Sequence, residues 1–227
     1  MTFKPVTHCI FDLDGTLVDS ERIYFKAIDS VLRKYGHRHS TEMCRKINGT
    51  TRAEYSRILV EDCGLPISAE EFLDQMDAIA QGMLENVELL PGVQKLVTHL
   101  KNHNIPMAIG TSSAMKSVTA KLSKHKQLME CFDHLVSGSS DPEVTAGKPA
   151  PDVFLVTARR FKPAADVSKV LVFEDSLNGV LSGLAAGMQV VMIPDPDIVT
   201  EDQRKIPTLC LESLADFKPE LFGLPPF

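Results

Sequence analysis

The sequence contains no tryptophan, few aromatic residues, and no apolar run of about 18 residues that could cross a membrane. Its Lys and Arg residues form no basic stripe, and the net charge over 227 residues is −6. A nucleic-acid-binding surface needs clustered cations and aromatic platforms for the bases. These absences therefore argue against nucleic-acid binding and membrane insertion, and they predict a globular, mildly acidic protein.

Cysteine patterns typical of metal sites and disulfide frameworks are also missing. The five cysteines are widely spread, and no two of them form a CxxC pair. An odd number of thiols without ligand spacing indicates reduced cysteines in an intracellular compartment. The N-terminal residues lack the charged-then-apolar pattern of a signal peptide. We therefore expect a cytoplasmic protein, and we take a monomer as the expected oligomeric state.

Five short apolar segments have the length and composition of buried strands. Segments with helical spacing precede the later strands; in one of them Val93, Leu96, Val97 and Leu100 form an apolar stripe. This alternation predicts an α/β fold, with a Rossmann-like parallel sheet core and helices on both faces. The predicted strands are residues 8–11, 106–110, 134–138, 170–174 and 189–193.

One block of the sequence breaks this alternation. Residues 21–86 contain helical patterns and no convincing strand, and Ser68 and Glu71 have the spacing of a capping box. We therefore predict a small all-helical cap domain at 18–87, inserted after the first strand. The α/β catalytic core then consists of 1–17 and 88–227. Within the core, the basic run KLSKHK at 121–126 is interpreted as a solvated helix face.

Polar residues follow four of the predicted strands, and parallel strands bring such positions to one edge of a sheet, where ligands bind. Crowded carboxylates repel each other unless a cation joins them, and several oxygen ligands at one point suit Mg²⁺. The hydroxyls and the lysine could hold an anion, so the set fits phosphoryl transfer through an aspartate nucleophile. The converging residues are Asp12, Asp14, Thr111, Ser112, Ser113, Lys148, Glu174 and Asp175.

Taken alone, each of these motifs has a simpler explanation. Asp-Gly pairs are common in turns, residues 111–113 could cap a helix, and Lys148 could be a solvated loop lysine. Glu174 and Asp175 could instead interact with the dipole of the following helix. The order of all four motifs, each after a predicted strand, favours the catalytic interpretation.

The segment DLDGTLVDS, the strand that ends at Thr111, Lys148 and the segment FEDSLNGV resemble the four ordered motifs of the haloacid dehalogenase superfamily. The resemblance spans the whole chain and implies a phosphatase with a helical cap. It implies that Asp12 is the nucleophile and that Asp14 is the general acid and base. Thr111, Ser112 and Lys148 would then bind the phosphoryl oxygens.

The same resemblance implies a metal cofactor. Asp12, Asp175 and the backbone carbonyl of Asp14 would hold Mg²⁺, and Glu174 would be a further ligand or a partner of the ligands. In the cap, Gly49 and Arg52 are candidates for substrate recognition, although Arg52 could also be a surface helix residue.

Longer stretches, among them GSSDPEVTAGKPAPDVFL and LVFEDSLNGV, resemble the animal pseudouridine-5′-phosphatase group of this superfamily. The expected substrate is therefore pseudouridine 5′-phosphate or a related small nucleotide monophosphate, hydrolysed without an organic cofactor. The first motif departs from that group, which tends to read DMDGLLLDT where this sequence reads DLDGTLVDS. Because specificity in the superfamily lies largely in the cap, this departure bears on the substrate more than on the chemistry.

Three alternatives stay open. A phosphotransferase of the β-phosphoglucomutase type would share the motifs, and Arg52 would suit its second phosphate. A phosphatase for another small sugar phosphate would keep the same chemistry. A silent protein that only binds phosphorylated ligands is disfavoured by the intact Asp12, Asp14, Lys148 and Asp175.

Overall fold

A single parallel sheet organises the protein in the computed structural model, which describes residues 3–47, 50 and 52–227. Its strands are β1 (His8–Phe11), β2 (Met107–Thr111), β3 (His134–Ser137), β4 (Val170–Glu174), β5 (Gln189–Met192) and β6 (Leu209–Cys210). Their spatial order is β3-β2-β1-β4-β5-β6, so β1 lies between β2 and β4. The five predicted strands are all present, with ends shifted by at most one residue. Within the described residues, the two-residue β6 is the one strand of the sheet that was not predicted.

The described part of the chain also contains nine α-helices. They are α1 (Glu21–Lys34), α2 (Thr41–Ile47), α3 (Arg52–Asp62), α4 (Ala69–Leu84), α5 (Val93–Asn102), α6 (Met115–Leu122), α7 (Lys126–Met129), α8 (Asp152–Arg160) and α9 (Leu177–Ala185). Short 3-10 turns lie at Val167–Lys169, Gln203–Lys205, Leu214–Asp216 and Pro219–Phe222. None of the described helices is both long and apolar enough to span a membrane.

The central strand shows why both faces of the sheet are covered. Successive side chains of a strand point to opposite faces, so Cys9 and Phe11 join one apolar cluster while Ile10 joins the other. All three side chains are completely buried, and the Phe11 ring stacks on Phe173 of β4 at 4.5 Å between centroids. Helix α5 contributes to the first cluster, and α8 and α9 contribute to the second. The predicted α/β core is therefore confirmed.

The all-helical pattern between β1 and α5 is observed as helices α1 to α4. Helix α1 packs against α4, and it buries the predicted apolar face formed by Ile23, Ala27, Ile28, Val31 and Leu32. The two chain segments that join these helices to the sheet run side by side, because Asp19 N–H donates to Glu88 O and Leu90 N–H donates to Leu17 O. The extent of the cap as a separate domain at 18–87 stays a prediction.

The predicted capping box at the start of α4 is present. Ser68 Oγ accepts a hydrogen bond from Glu71 N–H at 3.1 Å, and the Glu71 carboxylate accepts one from Ser68 N–H at 2.8 Å. Two backbone donors that the first helical turn leaves unpaired are thereby satisfied.

Replacing Ser68 with Ala should lower the free energy of unfolding by about 1 kcal/mol, because the first turn of α4 loses its side-chain acceptor. Ser68→Asp keeps an acceptor at the same position and serves as the control. The measurement is denaturant-induced unfolding of the three proteins. Equal stability of the Ala and Asp variants would contradict a capping role.

Candidate active site

The polar edge of the sheet is formed by loops that follow its central strands. Asp12 follows β1, Thr111 ends β2, and Asp175 follows β4. Because these three strands are neighbours, their carboxyl ends meet at one edge, as expected for a parallel sheet. Asp12 and Thr111 are almost completely buried there.

Lys148 reaches this edge from the loop after β3. Its ammonium group donates to Asp12 Oδ1 at 2.5 Å, to Glu174 Oε1 at 2.6 Å and to Gly110 O at 3.3 Å. The Lys148 side chain is only 8% exposed, so both ion pairs form away from bulk water. The structure thus brings the predicted residues Asp12, Lys148 and Glu174 into direct contact.

The loop that carries Lys148 is held by two side chains of helix α8. The Asp152 carboxylate, at the start of α8, accepts hydrogen bonds from Thr145 N–H, Thr145 Oγ1 and Ala146 N–H. Near the end of α8, Arg160 binds Asp141 through two parallel hydrogen bonds of 2.5 and 2.9 Å. Helix α8 therefore holds the loop that presents the lysine.

Glu174 uses both carboxylate oxygens within the protein. While Oε1 receives Lys148, Oε2 accepts hydrogen bonds from Asp175 N–H, Ser176 N–H and Ser176 Oγ at 3.0 to 3.1 Å. A Cβ at Gly179 would lie 1.8 Å from the Glu174 carboxylate, so only glycine leaves room for this arrangement. Glu174 therefore joins Lys148 to the start of α9.

Negative charge at this edge exceeds the positive charge that Lys148 supplies. The pKa of Asp12 is raised to about 7, chiefly because the carboxyl is buried; Lys148 opposes the rise, and the charges of Glu174 and Asp14 add to it. Burial, Glu174 and Asp12 together raise the pKa of Asp175 well above its ordinary value. Within the described residues, no side chain or backbone group donates a hydrogen bond to the Asp175 carboxylate. Both carboxylates would be stabilised in their charged form by an added cation.

The donor set fits a divalent cation such as Mg²⁺. Asp12 and Asp175 supply carboxylates, and the Asp14 carbonyl accepts none of the hydrogen bonds formed among the described residues. The part of the chain that is described has no cluster of three or more His, Cys, Asp or Glu side chains arranged to hold a metal. Mg²⁺ needs no such cluster, since it commonly keeps several waters and takes one or two carboxylates together with substrate oxygens.

Gly15 leaves the space that the Asp175 carboxylate occupies. It adopts φ +68°, a conformation that side chains disfavour, and a Cβ there would lie 2.0 Å from Asp175 Oδ2. The turn after Asp14 and the position of the Asp175 carboxylate therefore both require glycine at residue 15.

Asp14 points to a different set of partners. Ser20 Oγ and Lys121 Nζ both approach Asp14 Oδ1 at 2.5 Å, and Ser113 Oγ donates to Asp14 Oδ2 at 2.6 Å. Burial favours the neutral acid, but the ion pair with Lys121 and the hydrogen bonds from Lys121, Ser113 and Ser20 outweigh it. The pKa of Asp14 is consequently lowered from its ordinary value. The two aspartates of the first motif thus have opposite electrostatic environments.

Comparison with known proteins identifies the family. The sequence matches the family described as haloacid dehalogenase-like hydrolase over residues 9–193. The chain belongs to this family. It is 45% identical to a Drosophila melanogaster protein named "Probable pseudouridine-5'-phosphatase", with 99% of this chain and 96% of that protein covered. It is 42% identical to "(DL)-glycerol-3-phosphatase 2" of Arabidopsis thaliana, with 98% and 93% covered.

A solved structure of the same family extends the likeness to the fold. A haloacid dehalogenase family hydrolase from Deinococcus radiodurans R1, crystallised with bound phosphate and sodium, matches with a TM-score of 0.81 and 25% identity. The match covers 99% of this chain and 100% of that structure. The family match and the phosphatase relatives confirm the predicted family and its enzyme class, a phosphatase.

Two predicted phosphate-binding residues lie at the end of β2. Thr111 is buried, and its Oγ1 accepts a hydrogen bond from Ser113 N–H at 3.1 Å. Ser112 is exposed, and its backbone carbonyl accepts a hydrogen bond from Ser139 Oγ. Both residues therefore lie at the polar edge, and their contact with phosphate stays a prediction.

The candidate specificity residues are not brought to this edge by any contact that the structure describes. Arg52 forms an ion pair with Asp77 at 2.6 Å, which joins α3 to α4 within the helical segment, and about half of each side chain is exposed. Gly49 lies outside the described residues. A role of either residue in substrate recognition stays a prediction.

The interpretation of residues 121–126 as a solvated helix face is wrong for Lys121. This lysine is completely buried, whereas Lys124 and Lys126 are exposed as expected. Val118, Lys121 and Leu122 occupy one buried stripe of α6, so the lysine stands where an apolar residue would be expected. The position of a charged residue on an otherwise apolar stripe is the sequence feature that indicates a buried Lys121.

Replacing Gly15 with Ala should reduce phosphatase activity about 100-fold, because the new Cβ displaces Asp175. Gly36→Ala is a matched control, since Gly36 also has a positive φ of 84° but has open space around its Cβ position. Phosphate release and thermal unfolding would be measured for both variants. Similar activity losses in the two variants would show that backbone strain, rather than the contact with Asp175, explains the effect of substitution at residue 15.

Proposed function

We propose that this protein hydrolyses small phosphomonoesters by way of a phosphoryl group carried on Asp12, with Mg²⁺ as its cofactor. The observation that carries the proposal is the contact between Asp12 and Lys148 on a buried sheet edge, beside an Asp175 carboxylate that receives no hydrogen bond from the described residues. Carboxylates that crowd together at a site with little solvent raise each other's pKa unless a cation joins them. A cation and a phosphate together would account for this concentration of charge.

In the first chemical step, a carboxylate oxygen of Asp12 attacks phosphorus, and the bond between phosphorus and the ester oxygen breaks. Lys148 contacts Asp12 and lies where it can also neutralise phosphoryl oxygens. Asp14 enters this step as the neutral acid, the form that burial favours, gives its proton to the departing alkoxide and is left as a carboxylate. The products of this step are an alcohol and a phosphorylated Asp12.

In the second step, water attacks phosphorus and the bond to the Asp12 oxygen breaks. Asp14 takes a proton from that water, which releases inorganic phosphate and restores both aspartates. The lowered pKa of Asp14 in the present arrangement suits its role as the base of this step. Mg²⁺, held by Asp12, Asp175 and the Asp14 carbonyl, would neutralise charge that develops on the phosphoryl oxygens.

For the substrate we propose pseudouridine 5′-phosphate, which the relative with 45% identity supports by its name. Glycerol 3-phosphate is the second candidate, because a relative with 42% identity over nearly the whole chain is named for that activity. The catalytic residues act on the phosphoryl group shared by both compounds. The choice between them therefore lies with residues that contact the rest of the substrate.

We further propose that the enzyme works as a monomer in the cytoplasm. All five cysteines carry free thiols, although only Cys9 and Cys63 are buried. Free and partly exposed thiols suit a reducing compartment.

Asp12→Asn should abolish phosphate release while leaving the fold intact, because the amide is a poor nucleophile of similar size. Asp202→Asn, a change at an exposed residue that forms an ion pair with Lys205, is the control. The wild type mixed rapidly with substrate and quenched in acid should gain the mass of one phosphoryl group, and the Asn variant should not. Substantial turnover by Asp12→Asn would overturn the assignment of the nucleophile.

A panel of phosphomonoesters tests the substrate and the metal together. Phosphate release would be measured on pseudouridine 5′-phosphate, uridine 5′-phosphate, glycerol 3-phosphate and hexose phosphates, with Mg²⁺ and with chelator. We expect the highest kcat/KM on pseudouridine 5′-phosphate and loss of activity in chelator. A preference for glycerol 3-phosphate would keep the mechanism and replace the substrate, whereas full activity in chelator would overturn the role of Mg²⁺.

A further inference from the structure

The mechanism proposed above leaves one buried charge unused. Lys121, in helix α6, has no exposed surface, yet it is not one of the residues expected to touch the phosphoryl group. Burying an ammonium group is costly unless partners compensate for the lost water. The position of Lys121 therefore needs an explanation beyond packing.

The contacts of Lys121 form a closed ring around the Asp14 carboxylate. Lys121 Nζ lies 2.5 Å from Asp14 Oδ1 and donates to Ser113 Oγ at 2.8 Å. Ser113 Oγ in turn donates to Asp14 Oδ2 at 2.6 Å. Because the Ser113 hydroxyl accepts from the lysine, its own proton is directed to Asp14. Different groups thus bind the two carboxylate oxygens, and these contacts fix the rotation of the carboxylate as well as its position.

Helix α6 also contacts the helical segment. The Tyr24 ring of α1 lies over Lys121 Nζ at 5.3 Å from its centroid, and Tyr24 Oη is 3.5 Å from Ser117 Oγ. Just beyond α6, one ring nitrogen of His125 is hydrogen-bonded to Val87 O at 2.8 Å. The lysine therefore lies where the sheet core meets α1. His125, just after α6, contacts the chain segment that leads from the helices back into the core.

We propose that Lys121 is a positioning residue for proton transfer, which orients the Asp14 carboxylate, directly and through Ser113, toward the leaving oxygen and the attacking water. This inference rests on the proposed function, since it assigns Lys121 to the acid and base of that reaction. If Lys121 only stabilised the fold, its replacement would lower activity on all classes of ester to the same extent. A positioning lysine affects only the steps in which Asp14 moves a proton.

The leaving group separates these two roles. An alkyl phosphate such as glycerol 3-phosphate needs a proton on its leaving oxygen, whereas p-nitrophenyl phosphate releases a stable anion that needs none. In Lys121→Met, turnover of alkyl phosphates should fall about 100-fold, which is within the range of general acid–base catalysis. Formation of the first p-nitrophenolate should stay within about threefold of the wild-type rate. Hydrolysis of the phosphorylated Asp12 should then be slow, because Asp14 no longer receives the water proton efficiently.

The experiment is stopped-flow measurement of p-nitrophenolate release with Mg²⁺, alongside steady-state turnover of pseudouridine 5′-phosphate and glycerol 3-phosphate. Lys121→Met should give a burst of about one p-nitrophenolate per enzyme, followed by slow turnover. Lys116→Met is the matched control, because Lys116 belongs to the same helix but is exposed, and it should behave as the wild type. Folding of each variant would be checked by circular dichroism and thermal unfolding.

Ser113→Ala provides a second variant, which removes the donor to Asp14 Oδ2 and keeps the lysine. It should show the same dependence on the leaving group to a smaller extent, and it tests the ring of contacts even when Lys121→Met does not fold. Folded variants in which the p-nitrophenolate burst slows as much as the turnover of alkyl esters, or in which neither slows, would overturn the positioning role. A wild type that hydrolyses neither ester class would overturn the proposed function itself, and this inference with it.

Discussion

The structure depends on one constraint, which is that several carboxylates must share a buried edge of the sheet with few positive charges. Asp12, Glu174 and Asp175 meet there, and Lys148 is the cation that reaches Asp12 and Glu174. Removing one partner from a buried ion pair typically costs about 3–5 kcal/mol, so each of these contacts constrains the others. The strands position the carboxylates, and helix α8 holds the loop that positions the lysine. The surrounding fold therefore maintains a site in which negative charge exceeds positive charge.

The same constraint accounts for two glycines. Gly15 and Gly179 lie where a Cβ would overlap the carboxylates of Asp175 and Glu174, respectively. Glu174 turns toward Lys148 and the first turn of α9, while Asp175 receives no hydrogen bond within the described residues. Adjacent residues of similar chemistry are thus given different tasks by the space around them. One carboxylate stabilises the protein's own lysine, and the other is available to a ligand.

Much of this organisation could be predicted from the sequence, for reasons that are local. Buried strands such as 8–11 and 170–174 are short apolar runs bounded by polar residues, and the parallel arrangement then brings Asp12 and Asp175 to one edge. The two-residue β6 has no such signal, because its pairing with β5 depends on tertiary contacts. Lys121 could not be assigned to Asp14 from sequence, since their pairing depends on how α6 packs against the loop after β1. The basic residues around Lys121 suggested solvent exposure, whereas its place in the apolar stripe of Val118 and Leu122 indicated burial.

The two aspartates of the first motif illustrate how neighbouring residues acquire separate roles. Asp12 pairs with Lys148 and Asp14 pairs with Lys121, so each aspartate has its own buried lysine from a different side of the fold. Of the donors to Asp14, Ser113 and Lys121 belong to the sheet core, while Ser20 lies in the segment that leads into α1. That segment is hydrogen-bonded to the returning chain through Asp19 and Glu88. A rotation of the helical segment about these strands of chain would move Ser20 relative to Asp14, whereas Ser113 and Lys121 belong to the core, although Lys121 also contacts the Tyr24 ring of α1. Asp12 has no donor in the described part of the helical segment, so such a rotation would change the hydrogen bonds of Asp14, the proposed acid and base, and leave those of Asp12, the proposed nucleophile, unchanged.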